Sequence, residues 1–529
     1  MLDMSDDPVL TGNASKSEFS QSSGIFHKLR DTAHHTVYFG IASVLGRSLN
    51  FLLLPVYTGY LTDDQYGALS LLLLLQAFMS LFPNSVFIFP LFRSYYDYPE
   101  SDTRARSLVV STSFWLITAL SFVLCGAGWL FSSYVSLWLI GTPDYTTSVQ
   151  LVFLACFFEC LGLPSFTVFR ARKRSKAYAA VATFSMLVQA TLSVALVVVF
   201  HQGVWGIMLG IVLGIVLRTL LGILMTLETL SLRVSLHEVV KMLLYGLPFL
   251  PGNIFSYVNR SSDRVFLTHL LDLGVQGVFS VGLRFAQIVS VLIFIPFNFI
   301  RPAAIFDSEK DHDATHFYSR MLTYLVFLGL FLSLGVSALA PEALRVMTGP
   351  KYWSAWTVVP LLSLSYLFDG IRHSISPGLL LKRKTALMSL AEAIGTVVNV
   401  ILMLLLVRSV GSFGASLALA ITYFVVCAVL LFFNHWHLPV PWEWMRLTKL
   451  FLTAAALYFF TLFLPLPGLW TAFTVKFLIC LTFPLLLWLI RFYEPVELLR
   501  IHDTLMHMLS RLRNMPARIL RRLHLRFPA

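Results

Sequence analysis

TGYLTDDQYGALSLLLLLQAFMS (58–80) is echoed, 210 residues further on, by THLLDLGVQGVFSVGLRFAQIVS (268–290). Thr58/Thr268, Leu61/Leu271, Gly67/Gly277, Ser70/Ser280, Leu73/Leu283 and Ser80/Ser290 coincide, six identities in 23 positions. Both stretches read as the end of one helix, a tight polar turn and the start of the next, flanked by apolar runs. The shift predicts a chain made of two equivalent halves, the product of an internal duplication.

Working outward from these turns, apolar blocks recur along almost the whole chain of 529 residues. Apolar residues make up 57% and charged residues only 12%, with a mean hydropathy of +0.77. A soluble chain carries about a quarter charged residues, and a membrane-crossing helix needs roughly 20 apolar residues in a row. Apolar runs between charged and Pro/Gly breaks predict spans at 36–61, 66–92, 107–131, 147–169, 178–200, 203–228, 246–271, 275–300, 318–340, 355–381, 386–407, 411–433, 448–464 and 468–490. The fold expected is an all-α integral membrane protein of about fourteen transmembrane helices. Two pseudo-symmetric six-helix lobes, 36–228 and 246–433, are followed by two extra C-terminal helices within 448–490. The repeat places 246–271 opposite 36–61, so Arg260, Asp263 and Arg264 fall inside the bilayer and not in a loop.

Orientation follows from Lys and Arg in the loops. On one side lie 29 of the 39, including Arg170, Arg172, Lys173, Arg174, Lys176 and eight arginines between Arg491 and Arg526. The other side has Arg345, Lys351 and Arg408, and seven lie within spans. Both termini are therefore expected in the cytoplasm, in a multi-pass protein of the cell (inner) membrane. The formal charge of +12 is mostly this bias, and no nucleic-acid partner is needed to explain it.

The polar segment 1–35 reads as a disordered cytoplasmic tail and not a cleaved signal peptide, lacking a basic stretch followed by an apolar one. Segment 494–529 places Leu498, Leu499, Ile501, Leu505, Leu509 and Leu512 at helical spacing among arginines. It reads as a basic amphipathic helix on an anionic cytoplasmic leaflet, or as a tail that only fixes topology. The five cysteines all sit in apolar blocks, which predicts neither disulfides nor thiolate metal sites. His312 with His316, and His435 with His437, have metal-compatible spacings but read as ordinary loop histidines. The Asn-Ala-Ser at Asn13 matches a glycosylation sequon on the cytoplasmic side, where it has no meaning. No cofactor or metal is expected.

LPVYTGYLTDDQYGALSL (54–71), DRVFLTHLLDLGVQGVFSVGLRF (263–285) and the fourteen-helix layout resemble the polysaccharide/O-antigen flippases. These belong to the multidrug/oligosaccharidyl-lipid/polysaccharide exporter superfamily, and the likeness covers residues 30–490. The resemblance implies alternating access by two six-helix lobes around a central cavity. It also implies a substrate made of an oligosaccharide on an undecaprenyl diphosphate carrier, moved from the cytoplasmic to the outer leaflet.

A charge at the bilayer centre costs about 2.5–3.5 kcal/mol, so cations retained there need a cavity or a partner. Arg47 lies eleven residues into the first span, roughly 16 Å deep at 1.5 Å per residue, with Asn50 on its face. Arg284 lies near the middle of the eighth span. Arg260 and Arg264 are i, i+4 neighbours in the seventh, with Asn259 and Asp263 beside them. One reading is an aqueous cavity lined by Arg47, Asn50, Asn259, Arg260, Asp263, Arg264 and Arg284 that holds a diphosphate. Guanidinium makes bidentate bonds to phosphate oxygens and stays charged. The competing reading makes Asp263–Arg264 a structural clamp and Arg47 a helix contact. Asp369, Arg372 and His373 form a second cluster, read as an internal ion pair or an ion-coupling site. Glu159 and Glu392 are lone acids in apolar runs, and either could carry a proton. Arg218 and Lys476 read as snorkelling or paired.

Three functions follow. A flippase for a lipid-linked glycan suits intramembrane cations. A peptidoglycan-precursor (lipid II) flippase fits the charges equally well. A cation-coupled multidrug antiporter shares the two-lobe architecture, but a pocket for organic cations should be acidic. A membrane-embedded enzyme is disfavoured, because the longest outer loop (132–146) carries only Asp144 as a charge and no phosphate-binding loop motif occurs. The partners implied are the lipid-linked glycan, membrane lipids and a polysaccharide polymerase or glycosyltransferases.

Overall fold

A computed structural model describes residues 51–498, apart from residue 100, residue 173, 299–300, 302–304, 306–312, residue 383, 465–466 and residue 496. Among the described residues every regular element is helical. The first lobe comprises α1 (Leu54–Tyr60), α2 (Asp63–Tyr96), α3 (Thr103–Leu130), α4 (Ser132–Ile140), α5 (Thr146–Ala171), α6 (Ser175–Val198) and α7 (Gly203–Leu224). A connecting helix, α8 (Leu236–Gly246), leads to the second lobe: α9 (Leu250–Leu270), α10 (Leu273–Val289), α11 (Ala314–Met347), α12 (Val359–Ser374), α13 (Pro377–Leu381) and α14 (Thr385–His437). Helices α15 (Trp444–Leu462), α16 (Leu469–Leu481) and α17 (Phe483–Leu489) pack against the second lobe.

Among the described residues ten helices are long and apolar enough to cross a membrane, or twelve if each of two bent pairs is one span. One of the ten, Ala386–His437, is itself a hairpin. Gly411 adopts φ 66°, ψ −140°, a backbone setting that only glycine reaches at low cost. Asn399 Nδ2 on its first arm then donates to Thr422 Oγ1 on its second at 3.3 Å. In a straight helix those residues would lie roughly 35 Å apart, so the chain doubles back, as the predicted break between 386–407 and 411–433 requires. The first predicted span, 36–61, lies outside the described residues except for its last turns.

Two predicted spans differ from the observed helices, and proline explains both. The span 246–271 is α9 with a bend at its start: α8 and α9 meet at 49° across Leu247–Phe249, where Pro248 cannot donate to the hydrogen-bond ladder. The span 355–381 begins in a short 3₁₀ stretch, Pro350–Thr357, bent 53° from α12. It ends at Ser374, just before Pro377, because a residue preceding proline is driven out of the helical region.

The two repeat-related turns, 61–63 and 271–273, lie at the same end of the bundle, the turn end. Thr62 Oγ1 accepts from the Gln65 amide at 3.2 Å and Gln65 Oε1 accepts from the Thr62 amide at 3.1 Å. That capping box, with Asp63 and Asp64 on the positive end of the helix dipole, fixes the start of α2. Asp272 Oδ1 caps α10 by accepting from the Gly274 amide at 2.7 Å. The two helices then cross closely. A Cβ added at Gly67 would sit 2.3 Å from the Leu273 carbonyl oxygen, and one at Gly277 would sit 2.1 Å from that of Asp63. Small residues permit such backbone approach between membrane helices. One turn further in, Ser70 Oγ and Ser280 Oγ, 210 positions apart, hydrogen-bond at 2.8 Å.

The C-terminal helices are anchored by charge as well as by packing. Lys476 Nζ on α16 binds Glu342 Oε1 on α11 at 2.7 Å, so it pairs and does not snorkel. Arg446 Nη2 holds Glu497 Oε2 at 2.8 Å and Arg320 Nη2 holds Glu494 Oε2 at 2.8 Å. Burial raises the Glu497 carboxyl, but the Tyr324 hydroxyl and the Arg446 guanidinium outweigh it and hold that group below the usual carboxylate range. The amphipathic tail expected over 494–529 lies outside the described residues beyond Leu498, and His312 is outside them too. Large apolar side chains such as Phe122, Leu130, Trp138 and Phe463 stand exposed on the outer surface, as they do when the solvent is lipid. The cysteines are free and buried.

Candidate functional site

Between the lobes lies a cavity of about 740 Å³. Four arginines line it: Arg218 on α7, Arg260 and Arg264 on α9, and Arg284 on α10. Glu159 on α5 is the acid among its lining residues, and Ser70 and Ser280 close it at the turn end. A smaller space of about 80 Å³ adjoins Glu159 and Arg218 and extends towards Arg170.

Packing fixes the direction of each cation. The Arg284 guanidinium lies 5.4 Å from the Tyr66 ring centroid, and Tyr66 is braced edge-on by Tyr352 at 5.8 Å. Arg218 lies 4.4 Å over the Phe166 ring, and its Nε makes no hydrogen bond among the described residues. Arg264 Nε is 3.6 Å from Asp263 Oδ1, and its Nη2 donates to the Arg260 carbonyl at 3.3 Å. Both sequence readings of Arg264 therefore apply, since it touches Asp263 and faces the cavity.

Asn259 and Asp263 were expected in the cavity and are not among its lining residues. Both are fully buried. Asn259 Nδ2 donates to the carbonyl and to Oε2 of Glu392, each at 3.1 Å. The reason is helical phase: at 100° per residue, a face that presents Arg260 and Arg264 turns 259 and 263 into the lobe. Arg47 and Asn50 lie outside the described residues.

The second cluster is an internal network. Arg372 Nε holds Asp369 Oδ1 at 2.7 Å, and Arg372 Nη1 bonds Glu392 Oε1. Its guanidinium also lies 5.7 Å from the Tyr423 ring. Glu392, which has no partner visible in sequence, thus finds one on another helix. The carbonyl of His373 accepts from Arg301 Nη1. Asp369, Arg372 and Glu392 therefore satisfy one another inside the second lobe, and none of them, nor His373, lines the cavity. Removing one partner of a buried pair leaves a bare charge at a cost of about 3–5 kcal/mol. Arg372→Ala is expected to lower the melting temperature in detergent sharply. Adding Glu392→Ala and Asp369→Ala should recover much of the loss, and an unshifted melting curve for the single variant would refute the network.

Glu159 is placed differently. Ser80 Oγ donates to its Oε2 at 2.9 Å and Gln76 Nε2 approaches the same oxygen at 3.5 Å, so its partners are neutral. Arg218 is the cavity residue that sequence reasoning missed. Its signal was depth: it lies fifteen residues into the apolar run from Gly203, the criterion that singled out Arg47. Among the described residues no cluster of His, Cys, Asp and Glu could hold a metal ion.

Comparison with known proteins agrees with this layout. A family described as polysaccharide biosynthesis protein matches residues 59–357. The succinoglycan biosynthesis transport protein ExoT of Rhizobium meliloti (strain 1021) is 21% identical over 340 residues, 63% of this chain. The chain spans 66% of that relative's length, just under two thirds. The solved structure of lipid II flippase MurJ in an inward closed conformation superposes with a TM-score of 0.72 at 15% identity, covering 86% of this chain and 99% of MurJ. An inward-facing multidrug resistance transporter of the MATE family, from the MOP superfamily, gives 0.56 at 15% identity over 79% of this chain and 99% of its own. At such identities the likeness is one of fold.

Proposed function

Because the chain belongs to the polysaccharide biosynthesis protein family, we propose that it is a flippase, not an enzyme. It carries an undecaprenyl-diphosphate-linked oligosaccharide from the cytoplasmic to the outer leaflet by alternating access. The observation that carries this reading is the convergence of Arg218, Arg260, Arg264 and Arg284 on one cavity between the lobes. A diphosphate is too polar to cross lipid unaided, and guanidinium forks supply paired charge-assisted bonds to its oxygens. The inside-negative potential favours export, by about 2.3 kcal/mol per unit charge per 100 mV.

The same charge balance argues against an antiporter for organic cations, whose pocket would need acids where this one has arginines. In this reading the turn end faces outward, the Ser70–Ser280 contact is the closed outer gate, and the two lobes rock about it to admit and release the headgroup. The 29-to-3 distribution of loop cations supports a cytoplasmic position for 172–176 and the C-terminus. Reporter fusions at those sites should give a cytoplasmic signal, and a fusion at 143–145 an exterior one. A cytoplasmic signal from 143–145 would reverse the direction of transport proposed.

A further inference from the structure

The cavity has two unlike walls. The second lobe contributes Arg260, Arg264 and Arg284 with one amide, Gln287, whereas the first contributes Gln76 on α2, Glu159 on α5 and Gln189 on α6 besides Arg218, so the carboxylate and two of the three amides stand on the first lobe. We propose that Gln76, Glu159 and Gln189 form a saccharide site, holding the sugar next to the carrier while the opposite arginines hold the diphosphate. This rests on the flippase reading and adds to it which wall reads the glycan.

Three observations support it. First, the chemistry suits hydroxyls: a side-chain amide both donates and accepts, and a carboxylate accepts from two neighbouring hydroxyls. Second, these groups are under-used by the protein. Both bonds to Glu159 go to Oε2, which leaves Oε1 for a ligand. The half-buried Gln189 amide makes no side-chain hydrogen bond among the described residues, although partly buried amides ordinarily find partners. Third, the lobes differ where the repeat makes them comparable. The 210-residue shift lays Glu159 on Asp369, but Asp369 is taken up by Arg372 at 2.7 Å. The carboxylate with neutral partners therefore stands on the first lobe alone. An asymmetric ligand, anionic at one end and hydroxylated at the other, matches such walls. The cavity, at about 740 Å³, also exceeds what a diphosphate requires, falling in the range that encloses drug-sized ligands.

The test uses the full chain in detergent or nanodiscs with two probes, undecaprenyl diphosphate and the same lipid carrying one hexose. The readout is the ratio of the two affinities, taken for variants whose melting curves match the wild type. The wild type should favour the glycosylated lipid. Gln76→Ala, Gln189→Ala and Glu159→Ala should each lower that ratio about tenfold, the worth of one hydrogen bond made to a ligand. Arg284→Ala should weaken both probes together and keep the ratio. Unchanged ratios in all three first-lobe variants, with both lipids still bound, would overturn the saccharide site and leave the flippase reading standing. If the wild type binds neither probe, both readings fail. If Glu159→Gln keeps the ratio but removes the pH dependence of transport, Glu159 carries a proton and drops out of the saccharide site.

Discussion

Replacing Arg284 or Arg264 by alanine is expected to abolish delivery of the lipid-linked glycan to the outer leaflet, while the protein still inserts and accumulates. Each guanidinium offers the diphosphate a charge-assisted contact worth about 1.5–3 kcal/mol, or roughly 10- to 150-fold in affinity. The losses compound, because the arginines on α9 and α10 share one cavity. Removing one takes away a charge-assisted contact that the remaining arginines, already engaged with the diphosphate, cannot replace. Lysine at either site should restore activity only in part, since it keeps the charge and loses the planar fork. On the depth argument, Arg47→Ala is expected to behave alike. Complementation of a flippase-deficient strain measures all of these. Full activity of the alanine variants would remove the cationic cavity from the mechanism. Alanine at Glu159 or Asp369 proving far more damaging than at the arginines would favour the ion-coupled antiporter instead.

The double variant Ser70→Cys/Ser280→Cys should be fully inactive under oxidising conditions and recover on addition of reductant. The two hydroxyl oxygens are 2.8 Å apart, close enough for a disulfide, which needs Cβ atoms about 3.5–4.5 Å apart. The native cysteines are buried and unpaired, so the single variants should stay active under both conditions. The contact joins α2 of one lobe to α10 of the other at the point where glycines bring the backbones together. A covalent bond there prevents the lobes from parting at the turn end. Undiminished transport by the cross-linked protein would mean that this contact never opens.

The two predictions test features of different visibility in sequence. The cross-link was legible in part: the 210-residue shift marks Ser70 and Ser280 as equivalent positions, but only the structure brings their hydroxyls to 2.8 Å. The arginine cavity was legible in part. Arg260, Arg264 and Arg284 stand out as cations in apolar runs, but the same signal at Arg218 reads as snorkelling or pairing, because nothing local separates a cation facing a cavity from one reaching for headgroups or for a partner. The assignment of Asn259 and Asp263 to the cavity failed for a related reason. Neighbours in sequence lie 100° apart around a helix, and proximity to Arg260 along the chain turned them away from it.

Composition and apolar run length alone determined the class and the positions of most spans, since burial in lipid selects segments by length and by the cost of each charge; the expectation of two halves came from the 210-residue shift. Proline and glycine decided details that run length misses, such as the bends before α9 and α12 and the reversal at Gly411. Only the tertiary structure decided how each helix is rotated about its axis, and hence that Arg372 neutralises Glu392, that Lys476 meets Glu342, and that Arg218 shares a cavity with Arg284. In a soluble protein the polar face of a helix announces its rotation. In a membrane the lipid-facing and lobe-facing sides are both apolar, so the rotation is set by contacts between helices far apart in the chain.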